Sequence, residues 1–400
     1  MAQARCCCQA AMEPWDCGGF RSVVSSWPEG DAMTPRERVL AALSREPEKL
    51  DRVPMQDAFF ADTLERWRGE GMPADVAPGD FFGFDMDTLF ADVSLRLPER
   101  LLEETDEYLV AEDKHGFTAK RFKRKAGIHY VEHKVRTRAE WDSLKERLAV
   151  DLGDAARIGP VSYFEPFVRY PTWPELRAIF AGLRQRGKFI VLNAYGPYEH
   201  SWRMRGYTET MMMLVAEPQW AEEIFAAHTD LLLSLLHKAL DEGVRIDGLF
   251  LVDDLGVQSG PLARPSVIES LLMPHYARLS AFLRAEGIVF LLHCCGGIRP
   301  LIPMLIEAGV EVLQPLQATA GLDVRELKRE FGDQLVFMGN IDAKLMHDPA
   351  AIEREIRDKI PAAVAGGGYI YSSDHSVPSD VSLADYQRLL RLVREAWPPP

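Results

Sequence analysis

The sequence predicts an α/β fold, a (β/α)8 TIM barrel, on three observations. Short apolar runs alternate with amphipathic helical patterns along most of the chain. The runs are apolar throughout, as strands buried on both faces are. Eight of them occur: Val53–Met55, Thr88–Ala91, Phe189–Ala194, Gly248–Val252, Val289–His293, Val312–Gln314, Leu335–Met338 and Tyr369–Tyr371. An open doubly wound sheet would carry a Gly-x-Gly-x-x-Gly turn after an early strand, and no such turn is present. The Gly366–Gly368 triplet precedes a strand instead of opening a helix, so it reads as a turn.

The helices have their own start signals. Thr34 and Pro35 form an N-cap and first turn ahead of Arg38, Val39, Leu40, Ala42 and Leu43. Pro218 opens a helix carrying Trp220, Ile224, Phe225, Leu231, Leu232 and Leu235. Further helices are expected from Ser266 to Glu286, from Leu301 to Ala308, and after Asp348–Pro349 with Ile352, Ile356 and Ile360. The last starts near Ser382, with Asp385 as a capping-box partner. The Met211–Met213 run reads as helix core.

One segment breaks the alternation. Tyr108–Glu112, Thr118–Arg124 and Ile128–Val135 are separated by Lys114-His-Gly116 and Lys125-Ala-Gly127, which are β-hairpin signals. They predict an antiparallel insertion between the second and third barrel strands, whose basic run Lys120 to Lys125 is a solvated face. Residues 1–32 show no period and read as a disordered extension; residues 33–400 form the barrel.

Composition limits the function classes. Of 400 residues, 47% are hydrophobic and 26% charged, which fits a globular chain and excludes a mostly disordered one. The net charge of −14 repels phosphate backbones, so nucleic acid is not an expected partner. Four of the six cysteines lie at positions 6, 7, 8 and 17, and the other two are Cys294 and Cys295. Such clustering is no disulfide framework and points to a reducing cytoplasm. No apolar run is long enough to span a bilayer, and no secretory h-region opens the chain.

In a barrel of this kind the chemistry stands where strands end. Those ends carry Gln56 and Asp57, Asp92, Tyr195 and Glu199, Asp253 and Asp254, His293 to Cys295, Gln314 and Gln317, Asn340 and Asp342, and Asp374 and His375. We take Gln56, Asp57, Tyr195, Glu199, Gln317 and Asp342 as substrate-binding candidates, and Asp92, Asp253 and Asp254 as catalytic ones. The sharpest signal is His293-Cys-Cys-Gly-Gly297 after a buried strand. Strand alternation turns His293 and Cys295 to one side and Cys294 to the other. Imidazole and thiolate together suit Zn2+, with His375 as candidate third ligand and an open position for substrate. The other reading is a packed cysteine pair beside a hydrogen-bonded histidine.

Several motifs follow in order from Met33 onward: Met33-Thr-Pro-Arg-Glu-Arg-Val39, Asp51-Arg-Val-Pro54, Val252-Asp-Asp-Leu-Gly256, Pro274-His-Tyr276, His293-Cys-Cys-Gly296, Ile306-Glu-Ala-Gly309, Gly339-Asn-Ile-Asp342 and Asp374-His-Ser-Val-Pro378. In these the chain resembles the uroporphyrinogen decarboxylase superfamily, whose fold is a (β/α)8 barrel. The resemblance implies one of two chemistries. Its decarboxylases match at Asp92, the pyrrole-binding aspartate, and at His375. They also carry an arginine-rich segment after the first strand, and here that stretch, Pro54 to Phe60, has no arginine. Trp202 or Arg203 falls near their active-site tyrosine. The other branch holds zinc methyltransferases acting with a corrinoid protein, and uses His-x-Cys plus a distant cysteine. His293 and Cys295 fit that motif, and the distant position falls on His375. The resemblance therefore implies a methyltransferase with Zn2+, a small-molecule substrate, a corrinoid carried by a partner protein, and a homodimer. A tetrapyrrole decarboxylase is the alternative, followed by a barrel that only binds tetrapyrrole or corrinoid.

Overall fold

Seven parallel strands and one antiparallel edge strand make a single eight-stranded sheet in a computed structural model that describes residues 33–123, 127–149, 155–162 and 165–397. Across the sheet the order is Tyr369–Ile370, Val336–Met338, Val312–Gln314, Val289–His293, Gly248–Val252, Phe189–Tyr195, Met86–Ala91 and Ile158–Gly159. Only the pairing of Met86–Ala91 with Ile158–Gly159 is antiparallel. This is a mixed α/β fold of TIM-barrel-like type. The expected extension 1–32 lies outside the described residues.

Both faces of the sheet are buried, as the apolar runs require. One face contributes Met86, Phe189, Val191, Leu291, Val312, Val336, Met338 and Ile370 to a small cluster closed by Val39 and Ala42 of the Pro35–Leu43 helix. A larger cluster fills the space under the other helices. Helix Pro35–Leu43 begins where expected, with Thr34 and Glu37 forming a reciprocal capping box. Its Arg38, together with Arg52, is buried against Asp85, which accepts Arg38 Nη1 at 2.5 Å, Arg52 Nη1 at 2.7 Å and the Met55 N–H at 2.7 Å. Asp51 takes the rest of the Arg38 guanidinium.

Two expectations are corrected and a third is extended. Val53–Met55 forms no strand. Met55 makes an isolated parallel bridge to Tyr371, and its carbonyl accepts the Asp85 N–H at 2.9 Å. Pro54 has no N–H to donate, so pairing here is limited to the bonds around Met55, where the Tyr371 N–H donates to the Pro54 carbonyl and the Gln56 N–H to the Tyr371 carbonyl. The helix from Ser266 to Glu286 is two helices, Pro265–Leu271 and Met273–Glu286, broken where Pro274 lacks the N–H that continuity needs. The expected hairpin strands do pair antiparallel, as Tyr108–Glu112, Phe117–Phe122 and Ile128–His133, and a fourth strand, Arg100–Glu104, extends their sheet. Its fully exposed first strand lacked the apolar alternation that marks a strand. Ser382 caps Leu383–Glu395 by accepting the Asp385 N–H at 3.1 Å, as expected. Gly366, Gly367 and Gly368 all take φ near +70°, a turn that favours glycine. Among the described residues, no helix is long and apolar enough to cross a membrane.

Candidate active site

Strand register brings the predicted residues into one row. Tyr195 and His293 both pair with Val252, and Gln314 pairs with His293. Just past that row stand Asp253, Asp254, Cys294 and Cys295.

His293 and Cys295 face each other, with Cys295 Sγ 3.3 Å from His293 Nε2. Asp254 Oδ1 lies 3.5 Å from the same nitrogen and accepts the Cys295 N–H at 2.8 Å. One donor atom from each of these three residues lies within 4.8 Å of the others, and among the described residues this is the one group of three or more with that geometry. His293 Nδ1 meets Gln314 Oε1 in a short hydrogen bond. An amide oxygen only accepts, so Nδ1 carries the proton and Nε2 presents a lone pair to the cluster. Nitrogen, sulfur and carboxylate oxygen are the donor set of a zinc site with three protein ligands, and the fixed tautomer is the outer support such sites use. Cys294 points away into the core, its sulfur accepting the Leu255 N–H at 3.2 Å, and burial raises its pKa well above the ordinary thiol value. His375, expected as third ligand, is not in the group. Its ring packs near Phe60, with centroids 5.4 Å apart. The nearby third donor is Asp254, because adjacent residues of an extended segment face opposite ways, so with Asp253 turned inward Asp254 faces the His-Cys loop.

Asp253 is fully buried and accepts the Glu199 N–H at 2.7 Å, the Tyr198 N–H at 3.4 Å and the Tyr276 hydroxyl at 2.8 Å. Burial pushes its pKa up to about 7 against those hydrogen bonds. It anchors the start of helix Pro197–Arg205, and Gly196 is what allows the approach, since a Cβ there would stand 2.3 Å from Asp253 Cγ. Glu199 is buried 3.0 Å from Arg203. Burial raises its pKa, Arg203 opposes this, and Asp254 and Asp253 add to the rise. Arg203 also lies over the Tyr195 ring at 3.9 Å and donates to the Tyr130 hydroxyl at 2.8 Å.

Asp92 sits apart, buried at the end of Met86–Ala91, where it accepts the Ser94 N–H at 3.0 Å. Burial would raise its pKa, and the charges of Arg157 and Lys114, with the hydrogen bond from Ser94, outweigh that and lower it.

The other candidates are engaged within the protein. Asp57 accepts from the Ser373 hydroxyl and N–H, the Ala58 N–H and the Tyr386 hydroxyl. Gln56 donates to the Asp57 carbonyl at 3.5 Å. Gln317 accepts the Gly296 N–H at 2.9 Å and so holds the His-Cys loop, while Asp342 caps Ala343–Leu345. Missed from sequence were Tyr276 and Gln314, as partners of Asp253 and His293, and the pair Asp113–His115, read only as a turn. Gln314 stood among the strand ends and Tyr276 in a matched motif, so both carried a signal.

Acids, a histidine and a thiol gathered at the ends of parallel strands define an enzyme of the TIM-barrel-like class. A family model described as uroporphyrinogen decarboxylase (URO-D) matches residues 184–396. The chain belongs to the uroporphyrinogen decarboxylase family, whose branches are decarboxylases and methyltransferases. A uroporphyrinogen decarboxylase of Anaeromyxobacter dehalogenans (strain 2CP-C) is 27% identical over 366 residues, 85% of this chain and 93% of that protein. Another, of Anaeromyxobacter sp. (strain Fw109-5), is 26% identical over 313 residues, 76% and 78% of the two chains. A methyltransferase from Methanosarcina mazei shares the fold at a TM-score of 0.63 and 16% identity, covering 91% of this chain and 99% of that one.

Proposed function

We propose that this protein is a zinc-dependent methyltransferase that moves a methyl group to or from a corrinoid held by a partner protein. The observation that carries the reading is the convergence of Asp254, His293 and Cys295. Zinc bound there would supply Lewis acidity at its open position, lowering a thiol's pKa or polarising an ether oxygen. Gln314 keeps Nε2 of His293 available, and Asp254 holds the Cys295 backbone in place. Glu199 exchanges a proton with the substrate, and Asp253 positions Glu199 through its N–H. In the same reading the Met55 bridge is the eighth stave of a closed barrel, and the sheet spanning 100–133 is an insertion into it. The protein acts in the cytoplasm on a small molecule and works as a homodimer.

Elemental analysis tests this. The purified protein should hold about one zinc per chain. Cys295→Ser and Asp254→Asn should lose most of it, while Cys294→Ser and His375→Ala should keep it. Zinc-free parent protein, or equal loss from both cysteine variants, would overturn the reading. A tetrapyrrole decarboxylase is favoured by one observation, the buried Asp92 among Lys114, His115 and Arg157, which suits a substrate bearing both N–H groups and carboxylates. Turnover of uroporphyrinogen by metal-free protein is its test.

A further inference from the structure

The antiparallel sheet carries a buried polar group that the zinc reading does not use. Asp113 accepts His115 Nδ1–H at 2.7 Å and the His115 backbone N–H at 2.9 Å, and its other oxygen takes Arg121 Nη2 at 2.6 Å. Burial opposes ionisation of Asp113, and the hydrogen bond from His115 and the charge of Arg121 outweigh it. An ionised Asp113 can only accept, so His115 Nδ1 keeps its proton and Nε2 is left as a bare acceptor. That nitrogen is buried and has no hydrogen-bond partner. Among the other atoms in the same state are Lys114 Nζ, on a residue only 4% exposed, the Tyr170 hydroxyl and Glu99 Oε1. Lys114 Nζ lies 5.5 Å from the centre of the Tyr170 ring.

These residues border the strand ends. The His115 ring meets Tyr195 edge-on at 5.5 Å, and the charge of Lys114 acts on Asp92. Buried donors and acceptors without partners are costly, and an ammonium more so than a neutral group. A bound group would therefore satisfy an acceptor at His115 and donors at Lys114 and Tyr170 together. Asp92, Asp113 and Glu99 stand around them with Arg121 and Arg157, so three acids offset the three cations and a singly charged group fits better than a doubly charged phosphate.

We infer that Lys114, His115 and Tyr170 form a substrate subsite for a carboxylate with a hydrogen-bond donor on the neighbouring carbon, the end group of a hydroxy acid or an amino acid. Lys114 and Tyr170 hold the carboxylate, and His115 Nε2 accepts from the hydroxyl or amine. The inference rests on reading the strand ends as the active site, and it is independent of which group is transferred there.

Ligand-observed NMR titration of the full chain with acetate, glycolate and glycine tests it. Glycolate or glycine should saturate the protein about fivefold more tightly than acetate, the share of one hydrogen bond. The tighter of the two tells a hydroxy acid from an amino acid. His115→Phe should abolish that preference and keep acetate binding. Lys114→Met should weaken all three probes at least tenfold. Melting temperature and zinc content are measured alongside. Unchanged zinc in both variants separates failure here from failure of the metal reading. Equal affinity for the three probes, no saturable binding of any, or unaltered binding in a folded Lys114→Met would overturn the inference. So would a folded His115→Phe that still prefers the donor-bearing acids.

Discussion

Asp57 shows how a single carboxyl can sit at a strand end and still serve the fold. Its oxygens join the loop after Met55 to Ser373 and to Tyr386 of the last helix. Burial pushes its pKa up from 3.8 to about 6, against the hydrogen bonds that favour the charged form. The folded chain therefore binds this proton more tightly than the unfolded chain. Its contribution to stability is greatest below pH 4 and falls as pH rises toward 6, by about 3 kcal/mol. Asp57→Asn has no such titration. Its stability relative to the parent, measured by urea unfolding from pH 3.5 to 7, should rise by that amount. A difference independent of pH would assign Asp57 a pKa near the ordinary value.

At the scale of elements, the segment from Met33 to Met55 is tied to the sheet by charge. Arg38 on the first helix and Arg52 before Met55 share Asp85, which is buried with both guanidinium groups. The matched motifs at Met33–Val39 and Asp51–Pro54 supply three members of this network. Removing the central acid takes the shared carboxylate from two buried guanidinium groups and leaves the Met55 N–H without its acceptor. Asp85→Ala should cost about 3–5 kcal/mol, the range for breaking a buried ion pair. A shift in urea midpoint worth less than about 1 kcal/mol, typical of surface pairs, would show that the network contributes little.

At the scale of the molecule, the described residues from Met33 onward build one eight-stranded sheet with its helices, beside smaller antiparallel sheets. Thr34 caps the first helix, and the Met33 N–H donates to Asp51 at 3.1 Å. A chain beginning at Met33 would place an ammonium on that aspartate and keep the contact. We propose that residues 1–32 are dispensable for the barrel, so the shortened protein should keep the parent's melting temperature and zinc content. A loss of several degrees would show that the extension packs against it. The net charge of −14 argues at the same scale against binding nucleic acid.

Local signals were enough for the parts whose causes are local. Strands buried on both faces read as apolar runs, so seven of the eight expected strands appear within two residues of their predicted ends. The opposite facing of Cys294 and Cys295 follows from the period of an extended chain, and the caps at Thr34 and Ser382 depend on neighbours three residues away. The convergences were decided elsewhere. Whether Asp254 or His375 stands beside His293 depends on how Val252 aligns with His293 across the sheet, a register between strands 41 residues apart in sequence. Asp57 looked like an open strand-end acid until Ser373 and Tyr386, more than 300 residues away, came to meet it. His115 looked like a turn because its meaning lies in Tyr195 and Asp92 on two other strands. Periodicity and capping are set by a few adjacent residues. Which donors share a site, and which carboxyls lose their water, is set by the packing of segments distant in the chain.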